Sequence, residues 1–212
     1  GGSGLMNDDL RISGWIPTNE PYTGLGFMHE GFGGNETTTS PILAISGNDA
    51  IIDWVMVEIR SSSNHSDLFA TKSALLQKDG DIVDLDGTSI LKISGIGAGN
   101  YYVAVKHRNH LGVMTANTIY LSSSSALYDF KSSASNAFGG LNGIQDLGGG
   151  YFGLFSGDFD INEQIQNIDI SNLLPTLGNS GYLSGDLDMN GQVQNTDVQL
   201  KLYPNLGRGQ QF

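Results

Sequence analysis

Two stretches of this chain carry side-chain oxygens at intervals that suit a hard metal ion. The first, Gly157 to Asp169, reads GDFDINEQIQNID, and the second, Gly185 to Asp197, reads GDLDMNGQVQNTD. The copies are 28 residues apart and share Gly, Asp, Asp, Asn, Gln, Gln, Asn and Asp in phase. Counted from the first aspartate, oxygen-bearing side chains fall at positions 1, 3, 5 and 12. These are Asp158, Asp160, Asn162 and Asp169 in the first copy, and Asp186, Asp188, Asn190 and Asp197 in the second. Gln164 and Gln192, at position 7, would each add a backbone carbonyl. A Ca2+ ion takes about six to eight oxygens, and alternate residues of a tight loop can point at one centre. Solvated Asx turns would not repeat their oxygens in phase. The pattern therefore predicts two calcium sites, in the ligand order of an EF-hand-type loop.

The other chemistry-bearing residues form no reactive set. His107 and His110 flank Arg108, and His29-Glu30 could approach them, but no HExxH motif or further ligand accompanies them. Their expected role is hydrogen bonding at a strand end. Asp79, Asp81, Asp84 and Asp86 read as hairpin turns, with a third calcium site as the alternative. Trp15, Trp54, Tyr22, Tyr101 and Tyr102 could stack on a sugar, but Trp54 lies in an apolar run that predicts core packing. Trp15 is the aromatic expected at the surface. There is no G-x-S-x-G, no placeable pair of catalytic carboxylates, and Gly148-Gly149-Gly150 is not followed by Lys-Ser/Thr. The chain reads as a non-enzyme.

These residues need a scaffold, and the bulk composition describes one. Hydrophobic residues make up 39% of 212, enough for a core. Glycine, at 30 residues, is about twice its usual share, as short strands joined by many turns require. The net charge of −12 with ten basic residues argues against nucleic acid. No apolar run reaches the length of a membrane helix. The absence of cysteine removes disulfides and thiolate chemistry. The opening Gly1-Gly2-Ser3-Gly4 is linker-like, and the chain is expected to be a fragment of a longer polypeptide.

Three segments follow. Residues 1–122 predict an Ig-like or fibronectin-like β-sandwich. Its clearest strand is Ala50 to Arg60, apolar on both faces as a central strand is. Further strands are expected at Pro41–Ser46, Leu68–Gln77, Ser89–Ser94, Tyr101–His107 and Met114–Leu121. The run Gly99-Asn100-Tyr101-Tyr102-Val103-Ala104-Val105 predicts Tyr101 tying its hydroxyl to the preceding corner. Residues 123–156, opening on the serine run Ser122–Ser125, form a bridging region with apolar pieces at Ala126–Phe130 and Tyr151–Phe155. Residues 157–212 hold the loops. Each loop is followed by a short helix, Asp169–Leu174 and Asp197–Leu202, stopped by Pro175 and Pro204. Apolar Ile165 and Val193 at position 8 are expected to pair with one another in a β bridge.

A loop and following helix without an entering helix resembles the dockerin calcium repeat, with Asp at position 12 and an apolar residue at position 8. The resemblance implies Ca2+ ligation by Asp158, Asp160, Asn162, Gln164 and Asp169, and by Asp186, Asp188, Asn190, Gln192 and Asp197. Gly191 provides the sharp turn at position 6; Glu163 departs from it and predicts strain in the first loop. The small hydroxyl pair that dockerins present to cohesins is replaced by Asn167-Ile168 and Asn195-Thr196. The strings Leu5-Met6-Asn7-Asp8-Asp9-Leu10-Arg11, Gly47-Asn48-Asp49-Ala50-Ile51-Ile52-Asp53-Trp54-Val55 and Tyr101–Met114 are similar to a sandwich-plus-dockerin-like segment near the C-terminus of secreted and surface proteins of Bacteroidota. That resemblance implies an extracellular, cell-surface location by the type IX route and a structural role without catalysis. The partners it suggests are other domains of the same or neighbouring chains, including a homo-polymer through an open sheet edge. Alternatives are a carbohydrate-binding or adhesion module that binds surface glycans through the sandwich, and a true dockerin that binds a cohesin.

Overall fold

A computed structural model describes residues 4–212. The fold is mainly β and antiparallel, a sandwich with two unequal layers. Strand β1 (Ile51–Ser61) lies at the centre of the larger sheet, between β2 (Leu68–Gln77) and β4 (Gly99–His107). Two-residue β3 (Ile82–Val83) extends the β2 side. On the other side β5 (His110–Met114) pairs with the C-terminal half of β4, and β6 (Ile119–Leu121) with its N-terminal half. The smaller layer is the hairpin β7 (Gln145–Gly148) and β8 (Tyr151–Gly153).

Residues 51–59 of β1 are all buried because both faces of the sheet are covered. Trp54 and Met56 face a core with Leu10, Ile16, Tyr22 and Leu75. Three single-turn helices, α1 (Asp9–Ile12), α2 (Tyr22–Leu25) and α3 (Ser40–Leu43), belong to the N-terminal covering. Val55 and Val57 face the opposite core with Val105, Val113, Ala137 and Ile144. Phe130, Phe152 and Leu154 from the bridging region close that side. The alternation read from the sequence is thus satisfied by two different coverings. No helix among the described residues is long and apolar enough to cross a membrane.

Several expectations need correction. Pro41–Ser46 is not a strand: Thr39 is extended and Pro41 sits in the first turn of α3, where its missing N–H is harmless. Ser89–Ser94 contributes a single bridge, Val83 to Ile90, because the Asp84 and Asp86 turns leave no length for a ladder. Met114–Leu121 breaks after Met114, so β5 and β6 are separate strands. The sheet edges are taken at several points. Thr71 of β2 receives the Glu30 amide on its hydroxyl and donates its own N–H to the Glu30 carbonyl. On β5, His110 bridges Ser156, and the adjoining Thr115 bridges Ala137.

Candidate metal centres

The two acidic loops fold alike. In each, position 4 (Ile161, Met189) and position 6 (Glu163, Gly191) take left-handed backbone, with φ of 55°, 59°, 69° and 84° respectively. These reversals turn alternate side chains inward. One carboxylate oxygen from each of Asp158, Asp160 and Asp169 comes within 4.8 Å of the others, and Asp186, Asp188 and Asp197 do the same. Glu163 therefore adopts the turn expected of glycine. Its side chain reaches Lys106 Nζ at 2.7 Å, an ion pair to the sheet that offsets part of the backbone cost.

Backbone amides preset the carboxylates. Asp158 accepts from Asn162 N at 3.0 Å and Glu163 N at 3.2 Å; Asp186 accepts from Asn190 N at 3.0 Å and Gly191 N at 2.8 Å. At position 12, Asp169 accepts from Phe159 N and Gln166 N, and Asp197 from Leu187 N and Gln194 N. Asp169 is also the third residue of α4 (Asn167–Leu173), where a carboxylate caps free helix N–H groups. Asp197 opens a π-helical turn, Asp197–Leu202. The Asn162 and Asn190 oxygens accept from the Gln164 and Gln192 amides at 2.9 and 2.8 Å. The side chains of Gln164 and Gln192 lie exposed, each meeting the glutamine two residues on.

Three acids packed this closely are electrostatically costly. Burial, reinforced by Asp169 and Asp160, pushes the Asp158 carboxyl up to about 7. Burial, reinforced by Asp197 and Asp188, pushes Asp186 up to about 7. Burial also raises Asp160 and Asp197. All-oxygen donors, preset by amides and repelling one another, fit a hard divalent cation that would supply the missing positive charge.

Ile165 and Val193 do not pair with each other as the sequence suggested. Each pairs with the Pro-x-Leu-Gly turn of the other repeat. Ile165 N donates to Arg208 O and its carbonyl accepts from Gly207 N, at 2.8 and 2.9 Å. Val193 N donates to Asn179 O and its carbonyl accepts from Gly178 N, both at 2.9 Å. This reciprocal exchange keeps the pseudo-twofold relation and buries both side chains with Phe155, Leu173 and Leu202.

The remaining candidates are held in hydrogen bonds, ion pairs and packing contacts of the fold. Asp53, fully buried in β1, accepts from Arg108 Nη2 at 3.0 Å and Tyr182 Oη, and meets His107 Nε2 at 3.2 Å. Burial raises its pKa, but the Arg108 guanidinium and His107 outweigh burial and hold it well below the usual range. His107 Nδ1 lies 3.0 Å from His110 Nδ1. Burial, helped by His107 and Arg108, keeps His110 neutral. His29 is elsewhere, between Thr23 and Thr71. Asp53 and Tyr182 escaped the sequence reading, although a carboxylate so early in the apolar run of β1 was a signal. The acids at residues 79–86 disperse: Asp84 pairs with Lys72 at 2.7 Å, and Asp86 accepts from Thr88 and Ser89 amides. Trp54 and Tyr22 are core, whereas Trp15 is 37% exposed with its ring against Gly191. Tyr101 Oη donates to Gly97 O at 3.0 Å, the corner tie its motif predicted. Asn167-Ile168 and Asn195-Thr196 lie exposed.

No family model matches the chain, and no curated protein matches it. Among solved structures it is similar to a chain of an N-terminal interface mutant of a type II cohesin–X–dockerin complex from Acetivibrio cellulolyticus. Identity is 20% over 82% of this chain and 91% of that chain, with a TM-score of 0.39. A C-terminal interface mutant of the same complex gives 21%, 84%, 92% and 0.38.

Proposed function

We propose that this chain is a non-catalytic extracellular structural and assembly module that binds two calcium ions. The observation that carries this reading is the pair of acid triads, two acids of each buried, matched in phase, in turn geometry and in amide contacts. Asp158, Asp160, Asn162, Asp169 and the Gln164 carbonyl would hold one ion. Asp186, Asp188, Asn190, Asp197 and the Gln192 carbonyl would hold the other. Each ion would offset two of the three carboxylate charges and lock the C-terminal repeats onto the sheet. Calcium is plentiful outside cells, and a cysteine-free fold there needs another staple. The polar groups that could have served catalysis are committed to ion pairs and corner ties, which favours a structural role.

For assembly, a crevice of about 550 Å3 between the large sheet and its covering supports acceptance of a segment from a neighbouring domain or chain. Val55, Val105 and Val113 form one wall, and Ile144, Phe152 and Leu154 the other. Packed interiors rarely leave such a space unfilled. Isothermal titration of the chelator-stripped chain with calcium tests the reading. Two ions per chain are expected, and the absence of binding at millimolar calcium overturns it.

A further inference from the structure

The structure assigns Asn109 to the positioning of both acidic loops, so that the two cation sites are coupled through one residue of the sheet. This inference rests on the calcium reading above. Asn109 lies in the two-residue turn between β4 and β5 and is fully buried. Its backbone carbonyl accepts from Gly157 N at 3.0 Å, one residue before Asp158. Its side-chain amide donates to Ser184 O at 3.0 Å and to Asp186 O at 2.9 Å, at the start of the second loop. Its Oδ1 meets His110 Nδ1 at 2.7 Å, which fixes the orientation of the amide.

A break in the internal symmetry shows why the sheet is needed. The start of the first loop already has an amide of its own: Asn205 Nδ2 donates to Ser156 O at 2.9 Å. Alignment of the two Pro-x-Leu-Gly turns, which lie 29 residues apart, puts Thr176 at the matching place for the second loop. Thr176 turns back and donates to Leu173 O at 2.7 Å. Asn109 supplies the amide that Thr176 does not, and Arg108 Nη1 steadies the same segment by donating to Leu183 O at 2.7 Å. The turn is held by the His107–His110 rung of the ladder. A shift of Asp186 on binding an ion therefore moves or fixes the contact to Gly157 as well. Position 8 offers no direct bridge between the loops, so this route matters more here.

Terbium, a luminescent substitute for calcium, reads the second loop through the Trp15 ring, which lies on Gly191 and sensitises its emission. Trp15→Phe removes that signal and serves as the control. The measurement is the terbium affinity of the second loop in the full chain, with and without Asp158→Asn, which disables the first loop. Asp158→Asn is expected to weaken the second loop by about fivefold or more, within the usual range of coupling between sites. Asn109→Ala should weaken the second loop and abolish its response to Asp158→Asn. The Asp158→Asn comparison leaves Asn109 intact, so the coupling stands or falls on it even where Asn109→Ala does not fold. Unchanged affinity with clear emission overturns the coupling alone. No terbium bound by the wild-type chain overturns the calcium reading instead.

Discussion

Without cations, this protein should lose stability as pH rises, and calcium should cancel that loss. Asp158 and Asp186 stand at about 7 in the fold against an ordinary 3.8. Between those values the folded chain holds more protons than the unfolded one, so its stability falls with rising pH. A shift of about three pH units in one carboxyl corresponds to ~4 kcal/mol. Solvent reaching Asp160 and Asp188 at the loop surface screens about half of this, leaving ~2 kcal/mol per loop. Roughly three-fifths of the ~4 kcal/mol for the pair, ~2 kcal/mol, falls between about pH 5 and pH 8. For a chain of this size that is about 4–8 °C in Tm. Buried His110 acts in the opposite sense: the unfolded chain takes up its proton as pH falls through about 6.5, and stability drops. That contribution is the same with and without calcium. The decisive quantity is therefore the calcium-dependent rise in Tm, measured by calorimetry at both pH values against chelator. It should be larger at pH 8 by the amount above. An equal rise at both, or a larger one at pH 5, would refute the reasoning.

Two substitutions probe how the loops and the sheet hold together. Asp53→Asn leaves Arg108 buried without its carboxylate and should cost about 3–5 kcal/mol in urea unfolding, with or without calcium. A cost below 1 kcal/mol would mean that the Asp53–Arg108–His107 network carries little of the fold. Glu163→Gly should change stability by less than about 1 kcal/mol, because relief of the left-handed backbone offsets the lost Lys106 pair. Glu163→Ala keeps the backbone cost and loses the pair, so it should be the more destabilising of the two in the same assay. The reverse order would show that Glu163 is not strained.

By itself the sequence determined what depends on local spacing. The doubled loops were legible because ligand positions are set by a short run of backbone, and the in-phase repeat distinguishes them from ordinary turns. The central strand was legible because apolar residues on both faces of β1 demand two coverings. The Tyr101 corner was legible because its partner, Gly97, is four residues away. Tertiary structure decided whatever joins distant segments. Pro41 fits a strand or a helix start equally well until its neighbours are placed. Glu163 looked like a flaw until Lys106, 57 residues earlier, came within 2.7 Å. Ile165 and Val193 had the right polarity to pair, but backbone partners are chosen by geometry, and each found the other repeat's turn. The role of Asn109 is farthest from sequence reading. It stands 77 residues before the aspartate whose carbonyl it holds, and only the folded sheet brings them together.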